Sequence, residues 1–174
     1  MAEVKNKKLR ALFEKTYEEL SDAIFRYCYF HTSNREKALD ITQETFVKTW
    51  EYMDSSHEID NIKAFLYRVA KNLIIDDRRK KKSDSLDKMT EEGFEPRSEE
   101  SELKIIENIF EAKMALRTVD KLSEKYKEVI ILRFVEDMSV KDIAKVLRKN
   151  ENTISVRIHR GIERLKIILE EQEK

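Results

Sequence analysis

Residues 138–166 read MSVKDIAKVLRKNENTISVRIHRGIERLK. Ser139 stands where an N-cap belongs, and Ile143, Ala144 and Leu147 fall on one side of the short helix it would start. A polar turn, Arg148-Lys149-Asn150, follows, and Ile154, Ile158, Ile162 and Leu165 then mark the buried side of a longer helix. Two helices, a short polar turn and a small Ala at the close crossing predict a helix-turn-helix. Its second helix turns Asn152, Thr153, Ser155, Val156, His159 and Arg160 outward. Hydroxyls, amides and a small apolar group suit base edges in a major groove. Seven bases and two acids lie within 145–166, a net of +5, which is the footprint of phosphate contact. A solvated basic face is the bland explanation; pattern and charge converging on the same residues favour DNA.

Working outward, Leu116, Val119 and Leu122 suggest one helix before the motif. A second starts after Ser123, an N-cap followed by the acid Glu124, and carries Val129, Ile130, Leu132 and Phe134. Towards the N-terminus, Leu20, Ile24, Tyr27 and Cys28 recur at helical spacing. Asn34 is a candidate N-cap for a helix through Leu39, Phe46, Val47 and Trp50, and the segment 54–61 is polar and irregular. A further helix has Ile62, Phe65, Leu66, Val69, Ala70, Leu73 and Ile74 as its apolar stripe and ends in Arg78, Arg79, Lys80, Lys81 and Lys82. Those bases complement a helix C-terminus, so helix-end charge and phosphate binding weigh about equally there. Most of the aromatic residues fit core positions. Trp50 and Tyr67 are the ones expected to be partly exposed, where a base could stack.

The chain has 174 residues, only 2 Gly and 1 Pro, which disfavours a sheet protein rich in tight turns. The expected fold is all-α, two small helical domains joined by a flexible linker. No apolar run approaches a bilayer span, and MAEVKNKKLRALF lacks the apolar stretch of a signal peptide. A single Cys forms no internal disulfide, so a reducing, cytoplasmic setting is expected, with Cys28 a packing residue. The formal net charge is zero, from 35 bases and 35 acids, but it is unevenly spread. Residues 1–82 carry 17 bases and 14 acids, 83–107 carry 3 and 9, and 108–174 carry 15 and 12. Two mildly basic blocks flank one acidic block that also holds Pro96 and Gly93. The domain reading is therefore 8–82, an acidic linker over 83–107, and 108–172.

Together the two blocks resemble a bacterial RNA polymerase sigma factor of the extracytoplasmic-function (ECF) group of the sigma-70 family. Ala38 to Trp50 resembles the A-x-D-x-x-Q-E-x-F-x-x-x-W pattern of region two, and Phe65 to Arg79 its W-L-Y-x-I-A-x-N-x-x-x-D-x-x-R stretch. Leu122 to Arg133 and Val140 to Leu165 resemble region four. The resemblance implies that Asp40, Gln43, Glu44 and Phe46 grip the clamp helices of the polymerase's largest subunit, with the flap of the second largest as a further contact. It implies minus-10 DNA contacts by Asn61, Lys63, Arg68, Lys71, Asn72, Arg78 and Arg79, with segment 57–72 opening the duplex and holding a flipped base. It also implies minus-35 contacts by Thr153, Ser155, Val156, Arg157, His159 and Arg160, and an acidic linker in the RNA exit path. The chain departs from the family at Arg148, where Gly is common, at Phe65 for Trp, and at Gly161 for Ala. A left-handed turn at Arg148 would cost more than at Gly.

As partners the resemblance implies core polymerase and promoter DNA, leaves an anti-sigma factor open, and implies a monomer when free, without membrane insertion. His31, His57 and His159 are scattered, with no acid or Cys at ligand or triad spacing and no Gly-rich phosphate loop. No catalytic residue, metal or cofactor is therefore expected. The competing class is a conventional dimeric helix-turn-helix regulator binding duplex DNA through 112–168.

Overall fold

The computed structural model describes residues 2–55, 57–84 and 118–172. The chain falls into two compact units, Met1–Thr90 and Glu91–Lys174. Among the described residues every regular element is helical. Residues 85–117, most of the segment read as an acidic linker together with Leu116, lie outside the described residues.

The first unit packs α1 (Ala2–Thr32), α2 (Arg35–Asp54) and α3 (Ile62–Asp84) around one core. α1 begins well before the Leu20–Cys28 pattern that announces it. A two-residue corner separates α1 from α2. Ser33 turns left-handed at φ 51°, and Asn34, extended, accepts the Lys37 amide on Oδ1 at 2.9 Å, the expected N-cap. Along α2 the buried residues are Ala38, Ile41, Thr42, Thr45, Phe46, Thr49 and Met53. Three of these are threonines, which burial would penalise if their hydroxyls were left unbonded. Each donates back to the carbonyl four residues earlier, at 2.6 to 2.7 Å, so the polar atoms are satisfied without a partner helix. Ile24, Tyr27, Cys28, Leu66, Tyr67 and Ala70 form the fully buried centre. Tyr67 is a correction: it is 0% exposed, its ring edge-on to Tyr27 at 5.2 Å, because the helix face carrying Leu66 and Ala70 carries it inward too. Lys37 pairs with Asp77 at 2.5 Å, and Arg78 donates to the His31 carbonyl at 2.9 Å, tying the basic end of α3 to the α1–α2 corner.

In the second unit a short turn of helix at 118–120 leads to α4 (Glu124–Ile130), a π-helical turn (Ile131–Val135), α5 (Val140–Leu147) and α6 (Glu151–Gln172). Ser123 holds the N-cap backbone position of α4, but its hydroxyl makes no capping bond, and Glu124 alone supplies favourable charge to the first turn. Phe134 is also corrected: the π turn carries it outward, 58% exposed, while Leu132 goes inward. Ser139 caps α5 as expected, accepting the Asp142 amide at 3.1 Å and donating to its carboxylate at 2.7 Å. Arg148 adopts φ 50°, ψ 49°, the left-handed position after α5 that the departure from Gly put in question. A non-glycine residue there costs roughly 1–2 kcal/mol. That is less than burying Ile143, Val146 and Leu147 contributes at ~1.5–3 kcal/mol each, so the turn holds. Asn150 then accepts the Thr153 amide at 2.7 Å and starts α6.

α6 lies close to α4 at Gly161, where a Cβ would stand 3.0 Å from Ile130 Cγ1. Glycine weakens a helix by about 1 kcal/mol relative to Ala, and here it admits this approach. Gly161→Ala is expected to change stability little, because the helix gain and the squeezed Ile130 offset one another. Gly161→Leu should cost about 2 kcal/mol by overpacking, read from urea unfolding followed by far-ultraviolet circular dichroism. Burial pushes the Cys28 thiol up to about 12, against the opposing hydrogen bond with Thr42. Its labelling by a thiol reagent at pH 8 should therefore be slow and track unfolding.

Candidate polymerase and nucleic-acid interface

The buried stripe of α2 determines which of its residues face outward. Asp40, Gln43 and Glu44 are exposed, Glu44 pairing with Lys48 at 3.1 Å one turn on. Phe46 is not among them. It is 3% exposed, edge-on to Phe13 at 6.2 Å and Tyr17 at 4.8 Å, so it supports the acidic face from within. Beside it runs an open groove of about 580 Å³, lined by Arg10, Phe13, Glu14 and Tyr17 of α1 and Gln43, Phe46, Val47 and Trp50 of α2. Trp50 is half-buried there, as expected, against Phe13 at 5.1 Å. The contribution of α1 escaped the sequence reading, although Leu9, Phe13 and Tyr17 recur every fourth residue.

α3 gathers the residues expected at opened DNA. Asn61 is its cap, accepting the Ala64 amide at 2.8 Å, which commits that side-chain oxygen to the helix start. Lys63, Arg68 and Lys71 are half-buried, and Asn72 is exposed. The Arg68 guanidinium lies 5.1 Å from the Phe65 ring centre. Further along, Arg78 is half-buried and engaged with the His31 carbonyl, whereas Arg79 is exposed, 3.9 Å from Asp76. Of the two, Arg79 stands exposed and Arg78 ties α3 to the end of α1.

On α6, Ile154 is fully buried and Ile158, Ile162, Leu165 and Ile168 are half-buried. Ser155, Val156, His159 and Arg160 form an exposed row, with Val156 at 40%, and Thr153 and Arg157 flank it half-buried. His159 stands 3.3 Å from Glu163. One turn further on, a second groove is lined by Lys121, Leu122, Ser123 and Tyr126 on one side and Arg160, Glu163, Arg164, Ile167 and Ile168 of α6 on the other. Burial pushes the Tyr126 phenol up, but the Lys125, Arg164 and Arg160 cations around it prevail and hold it below the usual value. Arg160 and Arg164 of α6 thus meet Lys125 of α4 around Tyr126, an association that spacing within α6 alone does not reveal. Among the described residues no group of His, Cys, Asp and Glu is placed to hold a metal ion. No described helix is long and apolar enough to cross a membrane.

Residues 16–83 match the family model for sigma-70 region 2, and residues 112–165 that for sigma-70 region 4. The chain belongs to the sigma-70 family of RNA polymerase sigma factors, and within it to the ECF group. It is 32% identical over 154 residues to the ECF RNA polymerase sigma factor SigW of Bacillus subtilis, covering 83% of this chain and 82% of that protein. It is 29% identical over 174 residues to RNA polymerase sigma factor SigV of the same organism, covering 97% and 98%. Solved structures share the fold. CnrH in complex with the cytosolic domain of CnrY matches with a TM-score of 0.69 at 22% identity, covering 92% of this chain and 89% of that one. The sigma factor RpoE bound to the anti-sigma factor NepR from Bartonella quintana matches at 0.68 and 23%, covering 91% and 96%.

The burial pattern separates two kinds of residue on α2. Phe46→Ala should cost about 3 kcal/mol of stability, as expected for an emptied aromatic core site. Asp40→Ala and Gln43→Ala should stay within about 0.5 kcal/mol of the parent, all read from urea unfolding followed by Trp50 fluorescence.

Proposed function

We propose that the protein binds core RNA polymerase and directs transcription initiation at specific promoters, residues 8–82 and 108–172 acting as two working domains across the linker 83–107. What carries the reading is the occurrence on one chain, in order, of both sigma regions, each with its outward residues of the right chemistry. Asp40, Gln43 and Glu44 offer a carboxylate-rich face to basic side chains of the clamp helices, and the flap of the second largest subunit is the contact for the second domain. Lys63, Arg68, Lys71, Asn72 and Arg79 on α3 face the minus-10 strand. Flipping a base costs a few kcal/mol of pairing and stacking, so these groups must return comparable contacts to the single strand. Ser155, Val156 and His159 read minus-35 base edges while Arg157 and Arg160 hold phosphates.

Sigma factors are non-catalytic initiation factors, and this one is read as having no chemistry of its own: the polymerase makes the bonds. Its place of action is the cytoplasm, where it is a monomer until it meets core enzyme. The two similar structures solved as complexes, one of them with an anti-sigma factor, make such an inhibitor a reasonable further partner. A dimeric regulator is not favoured, because it gives the region 2 match no role.

Adding the full chain to bacterial core polymerase should yield run-off transcripts from a discrete set of fragments in a genomic library. No promoter-dependent transcript together with no core binding would contradict the reading. Asp40→Ala or Gln43→Ala should weaken core binding. Arg157→Ala and Arg160→Ala should each lower the salt slope of promoter binding by about one, and an unchanged slope would remove those two residues from the phosphate contacts.

A further inference from the structure

Across the junction of α2 and α3 runs a row of rings that the proposed function leaves unused. Tyr52, on the last turn of α2, is stacked on His57 with ring centres 4.4 Å apart and planes 21° from parallel. Phe65, on the first turn of α3, meets the same Tyr52 ring at 4.8 Å and 35°. The Arg68 guanidinium follows at 5.1 Å from Phe65. The near-parallel planes put His57 over one face of the Tyr52 phenol.

The members of the row are held differently. Tyr52 and Phe65 sit on helices, and Tyr52 is still 37% exposed. His57 belongs to the polar loop and is exposed. A planar heteroaromatic ring laid flat on a tyrosine beside a basic helix is the arrangement an unpaired nucleobase adopts on a single-strand-binding surface. We propose that His57 is a displaceable placeholder: in the free protein it occupies the stacking face of Tyr52, and a base of the opened strand takes that face by pushing it aside. The proposal rests on the reading of α3 and segment 57–72 as the surface for opened DNA. It adds the platform, Tyr52, and the group that competes for it, His57.

The competition has a measurable consequence. A site open only part of the time binds with an affinity reduced by that fraction. An aromatic pair of ordinary strength keeps the face closed enough to weaken strand binding by about three- to ten-fold. Purines, with larger π faces, should displace His57 more readily than pyrimidines.

The test uses holoenzyme reconstituted from core polymerase and the full chain, with core alone as reference, titrated with a fluorescein-labelled oligothymidine carrying one 2-aminopurine. Affinity should rise about three- to ten-fold for His57→Ala and fall for His57→Phe, whose ring leaves less readily. Stacking should quench the 2-aminopurine in the parent and not in Tyr52→Leu, which should remain folded by far-ultraviolet circular dichroism while the lost contacts with His57 and Phe65 lower its melting temperature by a few degrees. In the free full chain, the His57 ring protons should be shifted upfield by Tyr52, and Tyr52→Leu should remove that shift. Weaker or unchanged binding by His57→Ala would overturn the placeholder. If Arg68→Ala and Lys71→Ala still weakened binding in that case, the reading of α3 would stand without it. Strand binding indifferent to Arg68, Lys71 and Tyr52 alike would overturn both.

Discussion

An amphipathic helix in water can keep one stripe dry, and what remains outside follows from where that stripe lands. Burying one Ile or Phe contributes ~1.5–3 kcal/mol, whereas an exposed polar contact contributes a few tenths, so the apolar stripes set the rotation of every helix here. On α2, burying Ala38, Ile41, Thr45, Phe46 and Thr49 leaves Asp40, Gln43 and Glu44 no place but the surface. On α6, Ile154 and the half-buried Ile158, Ile162 and Leu165 do the same for Ser155, Val156, His159 and Arg160. Gly161 tightens that choice: a larger side chain there would press on Ile130, so the middle of α6 rests close against α4.

The same stripes decide which features are legible in the sequence. α3, α5 and α6 each separate an apolar from a charged side, and periodicity found them; α2 was found too, but Leu39 and Val47 lie exposed while Thr42, Thr45 and Thr49 fill its buried stripe. The first half of α1 did not announce itself, because Leu9, Phe13 and Tyr17 stand among charges and find their partners only when α2 supplies Phe46 and Trp50. Tyr67 misled because a phenol is at home in either environment, and packing against Tyr27 decided the matter. Phe134 misled in the opposite sense: the π turn shifts the helical phase by one residue, so an apolar side chain at the expected inward position emerges outside. Caps were readable where an amide or hydroxyl oxygen reached a backbone N–H, as at Asn34 and Ser139, and Ser123 shows that the right residue in the right place need not form the bond.

Site residues divide along similar lines. Charge and spacing located the faces, but not the internal commitments of single side chains. Asn61 is engaged as a cap, Arg78 as a tie between α3 and the end of α1, and Phe46 as core. These commitments stiffen the surfaces on which Arg68, Arg79 and the acidic row of α2 are displayed. A net charge of zero, which taken as an average speaks against nucleic acid, is the sum of two basic blocks and one acidic segment. Resolved along the sequence it leaves basic charge concentrated in each helical block, above all within 145–166.

The most direct measurement of that central claim is permanganate reactivity of thymines on a promoter fragment recovered from the bound pool. With core polymerase and this protein together, reactive thymines should appear in one short window around the minus-10 element, alongside protection of a separate upstream block. Reactivity produced by core alone, or protection produced by this protein alone at a palindromic site, would contradict the account.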